Sequence, residues 1–102
     1  MLELRPTCEH CNKPLPPASP EARICSFECT FCATCVEMLL GDVCPNCGGG
    51  FVPRPIRPAT NWARNNSLAT YPASQTVKHR PVDLVAHREL RAAVGALRPE
   101  QR

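Results

Sequence analysis

The chain has 102 residues, a formal net charge of +3 and a mean hydropathy of −0.24, values that suit one small domain with an extension rather than two domains. No apolar run approaches the roughly 20 residues that a membrane-spanning helix needs, so the sequence predicts no membrane span. All 8 cysteines lie between positions 8 and 47. A segment of this size buries too little apolar surface to fold unaided, and it usually requires disulfides or metal.

The first residues, MLELRPTCEHC, contain no basic stretch followed by an apolar stretch. No secretory signal is therefore predicted, and a cytoplasmic location is expected. In a reducing cytosol, clustered cysteines are more often metal ligands or redox groups than structural disulfides. We therefore expect these cysteines to hold metal.

Charge is divided unevenly along the chain. Residues 1–52 hold six acidic and three basic side chains, whereas residues 53–102 hold three acidic and nine basic ones, so the two parts carry −3 and +6. If all the cysteines bound two zinc ions as thiolates, the net charge of the whole chain would fall to about −1. The positive charge would then belong wholly to the tail.

The sequence divides into three parts. Residues 1–52 form a two-zinc cysteine module, and residues 53–80, which begin PRPIRP, read as a proline-rich extended arm and irregular linker. Residues 81–102 read as a C-terminal amphipathic helix, with helix expected over 82–98 and Asp83 as its N-cap. The arm is expected to keep the tail away from the cysteine module. One face of the helix would carry the apolar residues Ala86, Leu90, Ala93, Val94 and Leu97.

The cysteines are spaced C-x2-C-x13-C-x3-C-x2-C-x2-C-x8-C-x2-C. Zinc in structural sites prefers four tetrahedral ligands, and a CxxC turn directs two sulfurs towards one ion. Four cysteine pairs therefore predict two zinc ions. Mononuclear iron and iron–sulfur clusters also accept four cysteines, so spacing alone leaves the metal open.

Two pairing schemes fit this spacing. In the sequential scheme, the first four cysteines of the chain bind one ion and the last four bind the other. In the interleaved scheme, the first pair shares an ion with the third pair, and the second pair shares an ion with the fourth. The interleaved first site consists of Cys8, Cys11, Cys32 and Cys35, and the interleaved second site consists of Cys25, Cys29, Cys44 and Cys47.

The segment CVEMLLGD, residues 35–42, reads as a short helix that begins at Cys35 and stops at Gly41. A knuckle followed by a hairpin, and then by a helix that carries a second cysteine pair in its first turn, is the treble-clef arrangement. The interleaved scheme produces this arrangement and also ties the two ends of the module together. We therefore favour it over the sequential scheme.

The order and gaps of the cysteines resemble the RING-finger cross-brace, with Cys29 where such modules usually carry histidine and with CPNC at 44–47 as the closing Cys-Pro-x-Cys. The resemblance implies a small metal-stabilised α+β fold with a short hairpin and a short helix, followed here by a mostly irregular tail and one C-terminal helix. It does not extend to ubiquitin-ligase activity. His10 replaces the usual apolar residue before the second cysteine, and Gly48 replaces the usual basic residue after the last one.

The longer run RICSFECTFCATC…CPNCGGGFVPRP further resembles a bacterial family of short cysteine-rich proteins described only as a domain of unknown function. The likeness covers about residues 1–80. It implies no established activity, and the helix at 82–98 is an addition to it.

The three histidines are read as non-ligands, because four complete cysteine pairs already satisfy two ions. His10, inside the first CxxC, is interpreted as an exposed residue of the knuckle. His79 and His87, which lie near basic residues of the tail, are expected to be solvated.

No Ser–His–acid pattern is present, and two ions with four cysteines each leave no open position for catalysis, so we expect no enzyme. We expect a zinc-binding structural and interaction module, a protein–protein adaptor that binds an unknown protein partner through Met38–Leu39–Leu40 or the C-terminal helix. One alternative is a thiol or zinc redox sensor. The other is a nucleic-acid-binding zinc protein, whose phosphate-binding candidates are Arg54, Arg57, Arg64, Lys78 and Arg80.

Overall fold

The computed structural model describes all 102 residues, and the middle of the cysteine-rich part is a small antiparallel hairpin. Strand β1 (Ala22–Ile24) pairs with strand β2 (Thr30–Cys32), with Arg23 opposite Phe31. Alternate small and β-branched residues of β1 point into the core, since Ala22 and Ile24 are buried and Arg23 is half-buried. The predicted short hairpin is confirmed.

A third strand completes the sheet. Strand β3 (Val52–Pro53) pairs antiparallel with the free edge of β1, so the strand order is β2-β1-β3. The edge position tolerates Pro53 because an edge strand can lack a ladder donor. No strand was predicted here, since Val52 was expected to close the cysteine module and Pro53 to begin the extended arm.

The first helical segment begins earlier than expected. Helix α1 (Ala33–Cys35) runs directly into a π-helical turn (Val36–Leu40), and Gly41 ends it with φ +57°. The prediction that the helix begins at Cys35 is therefore wrong by two residues, because the Cys32 sulfur caps the N-terminus by accepting the Cys35 N–H at 3.4 Å. The predicted stop at Gly41 is confirmed, since the left-handed conformation favours glycine.

The second helix lies in the tail. Helix α2 (Leu84–Val94) has Asp83 at its N-cap, where Oδ1 accepts the backbone N–H groups of Val85 at 3.1 Å and Ala86 at 3.2 Å. It stops at Val94, four residues before the expected end, and a single 3-10 turn follows at Pro99–Gln101. With its three-stranded antiparallel sheet and two helices, the chain is a small α+β protein, as predicted. No helix combines the length and the apolar character that crossing a bilayer requires.

The buried face of α2 is not the predicted one. Ala86 and Ala93 are exposed, whereas His87 is 4 % exposed and Leu90 and Val94 are half-buried. The expectation that His87 is solvated is therefore wrong. The helix docks on the cysteine module through a face that is centred on His87.

The hydrophobic core is largely made of the cysteines themselves. Phe31 is its one large aromatic side chain, and it meets the half-buried Phe51 edge to face with ring centroids 5.6 Å apart. Such a core buries little aliphatic surface, and this agrees with the expectation that the module needs a cross-link or a metal. The core cluster consists of Cys8, Leu15, Ala22, Cys25, Cys29, Phe31, Cys32, Cys35, Val36, Leu40 and Cys44.

The proline-rich arm and linker lie against the module rather than away from it. The Ser74 N–H donates to the Leu4 carbonyl at 3.0 Å, and the Arg80 N–H donates to the Glu9 carbonyl at 2.8 Å. The expectation that the arm keeps the tail apart is therefore wrong. An extended segment leaves its backbone N–H groups free, and here some of them find carbonyl partners on the module.

Candidate metal centres

Each of the two outer CxxC pairs lies in a tight backbone turn. In the first turn, the Asn12 N–H donates to the Cys8 carbonyl at 3.0 Å and the Cys8 N–H donates to the Lys13 carbonyl at 2.9 Å. Asn12 has φ +62°, a left-handed conformation that asparagine tolerates better than most residues. This turn places Cys8 and Cys11 on the same side of the loop.

The last pair repeats the same turn with different residues. The Gly48 N–H donates to the Cys44 carbonyl at 2.8 Å, and the Cys44 N–H donates to the Gly49 carbonyl at 2.8 Å. Gly48 takes the left-handed position with φ +78°, and the Gly49 N–H donates to the Cys47 sulfur at 3.4 Å. The chain therefore contains two equivalent cysteine knuckles.

Four sulfurs meet at the first knuckle. All four lie within 4.8 Å of one another, and the Cys11 and Cys32 sulfurs are 3.8 Å apart. A disulfide requires about 2.05 Å between sulfurs, and all the cysteines of the chain are free. The group is the one that the interleaved scheme assigns to its first ion, namely Cys8, Cys11, Cys32 and Cys35.

Three sulfurs meet at the second knuckle. Cys25, at the end of β1, lies with Cys44 and Cys47 so that the three sulfurs are within 4.8 Å of one another. Cys29, the fourth cysteine of the interleaved second site, is buried but its sulfur is not part of this group. The Cys25 N–H donates to the Cys29 carbonyl at 3.2 Å, so Cys29 lies next to this group along the chain. The two groups, of four and three cysteines, could each hold a metal ion.

Burial and crowding change the pKa values of the first group. Burial raises the pKa of the Cys8 thiol, and burial together with the neighbouring Cys32 thiol raises that of Cys35. The pKa of Cys11, the one exposed thiol of the group, shifts in the opposite direction. Partial burial opposes its ionisation, but the Lys13 N–H and the surrounding thiols outweigh it and lower the pKa of Cys11.

Burial affects the pKa values of the second group in the same direction. Burial raises the pKa of Cys44, and it also raises the pKa of Cys29. Closely packed buried thiols cannot all ionise without a compensating charge. A divalent cation would supply that charge, because coordination deprotonates a thiol outright.

Glu9, inside the first knuckle, is a buried acidic residue that the sequence analysis did not single out. Its carboxylate accepts the Thr30 N–H at 2.6 Å and an Arg5 Nη1–H at 2.9 Å. The other carboxylate oxygen faces the Asn46 amide of the second knuckle at 3.5 Å. No sequence pattern indicates these partners, since they come from three separate segments of the chain.

The histidines bind backbone groups and not the sulfurs. His10 Nδ1 accepts the Val82 N–H at 2.9 Å, and His79 Nε2 lies 3.1 Å from the His10 carbonyl oxygen. His10 is therefore half-buried under the tail instead of being an exposed knuckle residue. His79 is exposed, as expected.

Two of the five basic residues proposed to contact phosphate donate instead to backbone carbonyls of the protein itself, and Lys78 Nζ lies 3.9 Å from a Glu3 carboxylate oxygen. Arg54 is 4 % exposed, and its guanidinium donates to the carbonyls of Arg5, Leu15 and Pro16 at 2.9–3.0 Å. Arg57 donates to the carbonyls of Leu2 and Tyr71 at 2.7 and 2.6 Å. The interpretation of Arg54 as a phosphate contact is therefore wrong. Arg64, Lys78 and Arg80 are exposed.

Comparison with known proteins places the cysteine part in a family. Residues 1–57 match the family described as "Protein of unknown function (DUF1272)". The chain belongs to this family. It is also 58 % identical, over 74 residues, to an uncharacterized protein of Rhizobium meliloti (strain 1021), and the match covers 72 % of this chain and 81 % of the relative. The predicted resemblance to a bacterial family of unknown function is thereby confirmed.

The family match bears on the extent of the site. It begins at residue 1 and ends at residue 57, so it includes both knuckles and every cysteine, but not helix α2. No solved structure matches the chain.

Proposed function

We propose that this chain is a structural zinc protein that binds two zinc ions and presents a surface to a protein partner. The observation that supports this proposal most strongly is the 3.8 Å distance between the Cys11 and Cys32 sulfurs. Four sulfurs at about 2.3 Å from a tetrahedral zinc ion stand about 3.8 Å from one another. The Cys11–Cys32 pair therefore has the spacing that a zinc ion needs, and the sulfurs of all four proposed ligands, Cys8, Cys11, Cys32 and Cys35, lie within 4.8 Å of one another.

The second ion is proposed to use Cys25, Cys29, Cys44 and Cys47. Three of these sulfurs already lie together, and Cys29 is buried beside them, with its carbonyl accepting the Cys25 N–H at 3.2 Å. Rotation of the Cys29 side chain would complete a four-thiolate site. Closed sites of this kind have no open coordination position, so we propose a structural role and no enzymatic activity.

This ligand set makes a RING-like cross-brace. The first and third cysteine pairs would share one ion, and the second and fourth pairs would share the other. The knuckle at Cys8–Cys11, the β1–β2 hairpin, and α1 with the third pair at its start follow the order of a treble clef. Each structural zinc contributes on the order of 10–16 kcal/mol of apparent binding free energy to folding, which compensates for the small core.

The proposed partner surface lies where the tail meets the module. A groove of about 210 Å³ runs between the π-helical turn and α2, and it is lined by Met38, Leu39 and Leu84 together with Arg88 and Arg91. Met38 is 73 % exposed, and neither arginine pairs with an acidic side chain. An exposed methionine beside unpaired arginines is typical of an interaction surface.

Elemental analysis of the reduced, purified chain tests the metal proposal. It should give two zinc ions per chain, and one ion, or iron as the main metal, would contradict it. A capture experiment tests the surface separately. Proteins held by the full zinc-loaded chain should be lost from Met38→Asp and retained by the matched control Val77→Asp, which alters an exposed apolar residue away from the groove. Equal capture by both variants would rule out the groove.

A second candidate function is single-stranded nucleic-acid binding through the loop around Trp62. This side chain is 84 % exposed, and hydrogen bonds between Asn61 and Asn65 hold its loop, with Arg64 exposed beside it. Aromatic stacking next to a basic group is a recurrent way to hold a single strand. Binding of a fluorescent oligonucleotide should then weaken steeply with salt and with Trp62→Ala. Absence of binding at low salt would eliminate this candidate.

A further inference from the structure

Glu9 lies between the two proposed metal sites and is part of the first knuckle. It follows Cys8 directly, and its carboxylate is 6 % exposed. One carboxylate oxygen, Oε2, accepts the Thr30 N–H at 2.6 Å, while the Glu9 N–H donates to the Thr30 carbonyl at 3.0 Å. The side chain and the backbone of Glu9 therefore both hydrogen-bond to the backbone of Thr30, the residue that follows Cys29.

The same carboxylate also reaches the second knuckle. Its other oxygen, Oε1, lies 3.5 Å from the Asn46 side-chain amide. Asn46 lies between the two cysteines of that knuckle, Cys44 and Cys47. Glu9 thus contacts the second site in two places, at Thr30, which follows Cys29, and at the side chain of Asn46.

We propose that Glu9 couples the two metal sites, so that filling either one raises the affinity of the other. This inference rests on the proposed two-zinc function. A metal bound by the first knuckle fixes the Cys8–Cys11 turn and therefore the position of Glu9. Glu9 then holds Thr30 and Asn46, and so fixes the chain next to Cys29 and the turn that carries Cys44 and Cys47. Binding of either ion orders these groups. The second ion to bind therefore costs less conformational entropy, and thermodynamic linkage makes the gain in affinity the same for both sites.

The carboxylate suits this role because it has two acceptor oxygens and no donor. One oxygen accepts from Thr30 and Arg5 while the other faces Asn46. A glutamine would present an amide N–H₂ to one of these donors, and an alanine would present neither oxygen. The contact with the second site therefore depends on the acid itself and not only on the size of the side chain.

Stability constants for zinc measure the coupling directly. Chelator competition, followed by native mass spectrometry of the reduced full chain, gives the overall constant for loading two ions. The variants Cys8→Ser/Cys11→Ser and Cys44→Ser/Cys47→Ser give the constants of each site alone. The coupling factor is the overall constant divided by the product of the two single-site constants. It is independent of any intrinsic difference between the sites.

We expect a coupling factor of about tenfold or more in the native chain, within the usual range for coupled sites. The factor should fall to near one in Glu9→Ala. It should also fall in Asn46→Ala, which removes only the contact with the second knuckle and decides the question if Glu9→Ala fails to load two ions. The control Glu21→Ala should leave the factor unchanged, because the Glu21 carboxylate is half exposed and pairs with Lys13 of the first knuckle alone.

Two results would overturn the proposal. One is a factor near one in the native chain, and the other is an unchanged factor in Asn46→Ala. A native chain that never holds two ions at saturating zinc would instead refute the two-zinc function itself. A merely structural role of Glu9 would lower both single-site constants and leave their coupling unaltered.

Discussion

His87 Nε2 lies 2.7 Å from the backbone carbonyl oxygen of Val43, in a buried contact that joins α2 to the residue immediately before the second knuckle. This one bond connects two segments that are 44 residues apart in the sequence. Arg91 strengthens the same junction, because its guanidinium lies over Gly41 and donates to the Leu39 carbonyl at 3.4 Å. The C-terminal helix is thus seated on the proposed metal module by polar contacts as much as by apolar ones.

Replacing this histidine should loosen the helix without emptying the module. In His87→Ala the Val43 carbonyl loses its partner, which costs about 1–3 kcal/mol for a buried acceptor. Amide hydrogen exchange over residues 84–94 should therefore speed up by about tenfold, while the zinc content stays at that of the native chain. His79→Ala is the control, since His79 is exposed. Unchanged exchange in His87→Ala would show that α2 is held by other contacts.

Arg54 should be important for stability rather than for binding. Its buried guanidinium donates to three carbonyls, and burial without an acidic partner lowers its pKa. Arg54→Met leaves these carbonyls unsatisfied, so we expect the free energy of unfolding to fall by about 2–4 kcal/mol. Denaturant unfolding of the zinc-loaded chain measures this loss. Arg64→Met, which changes an exposed arginine, should cost almost nothing, and an equal loss in the two variants would contradict the assignment.

The thiols should differ in their reactivity in the folded, zinc-loaded chain. Cys11 and Cys47 are the exposed members of their groups. Cys8 and Cys44 are fully buried. Since a sulfur reacts only where the reagent can reach it, iodoacetamide should label Cys11 and Cys47 first in the folded chain. Peptide mass spectrometry reads the order, and early labelling of Cys8 or Cys44 would contradict the described burial. The same two exposed thiols would be the first targets of an oxidant if the protein acts as a redox sensor.

Truncation after Pro58 should leave two zinc ions bound but reduce stability. The family match ends at residue 57 and includes every cysteine, so the ligand set stays complete. The truncated chain loses the contacts of Ser74 with Leu4 and of Arg80 with Glu9. It should therefore unfold at lower denaturant concentration than the full chain, with unchanged zinc stoichiometry. Loss of a zinc ion on truncation would show that the tail is needed to form the sites.

Local chemistry explains which features could be predicted from the sequence. CxxC spacing fixes a knuckle within a few residues, and Asp83 caps α2 through N–H groups only two and three residues away. The roles of Glu9, Arg54 and His87 could not be predicted in the same way. Glu9 accepts the N–H of Thr30, and Arg54 and His87 contact carbonyls, across 21 to 49 residues of sequence. Nothing in the local pattern specifies a backbone group so far away as partner. The π-helical turn after α1 likewise has no local sequence signature.

The spacing of the cysteines does not predict where the Cys29 sulfur lies. The place of Cys29 in the order of cysteines assigns it to the second site, yet its sulfur lies outside the group formed by Cys25, Cys44 and Cys47. The Cys29 side chain would have to turn towards these sulfurs to become the fourth ligand. Spacing alone does not fix the direction of a side chain.

An anomalous-difference map at the zinc absorption edge, from crystals of the zinc-loaded chain, tests the central claim most directly. The account predicts two peaks per chain, each with four sulfur ligands at about 2.3 Å. A single peak, or a peak that has Cys11 and Cys25 as joint ligands, would contradict it. The predicted ligands of the first peak are Cys8, Cys11, Cys32 and Cys35, and those of the second are Cys25, Cys29, Cys44 and Cys47.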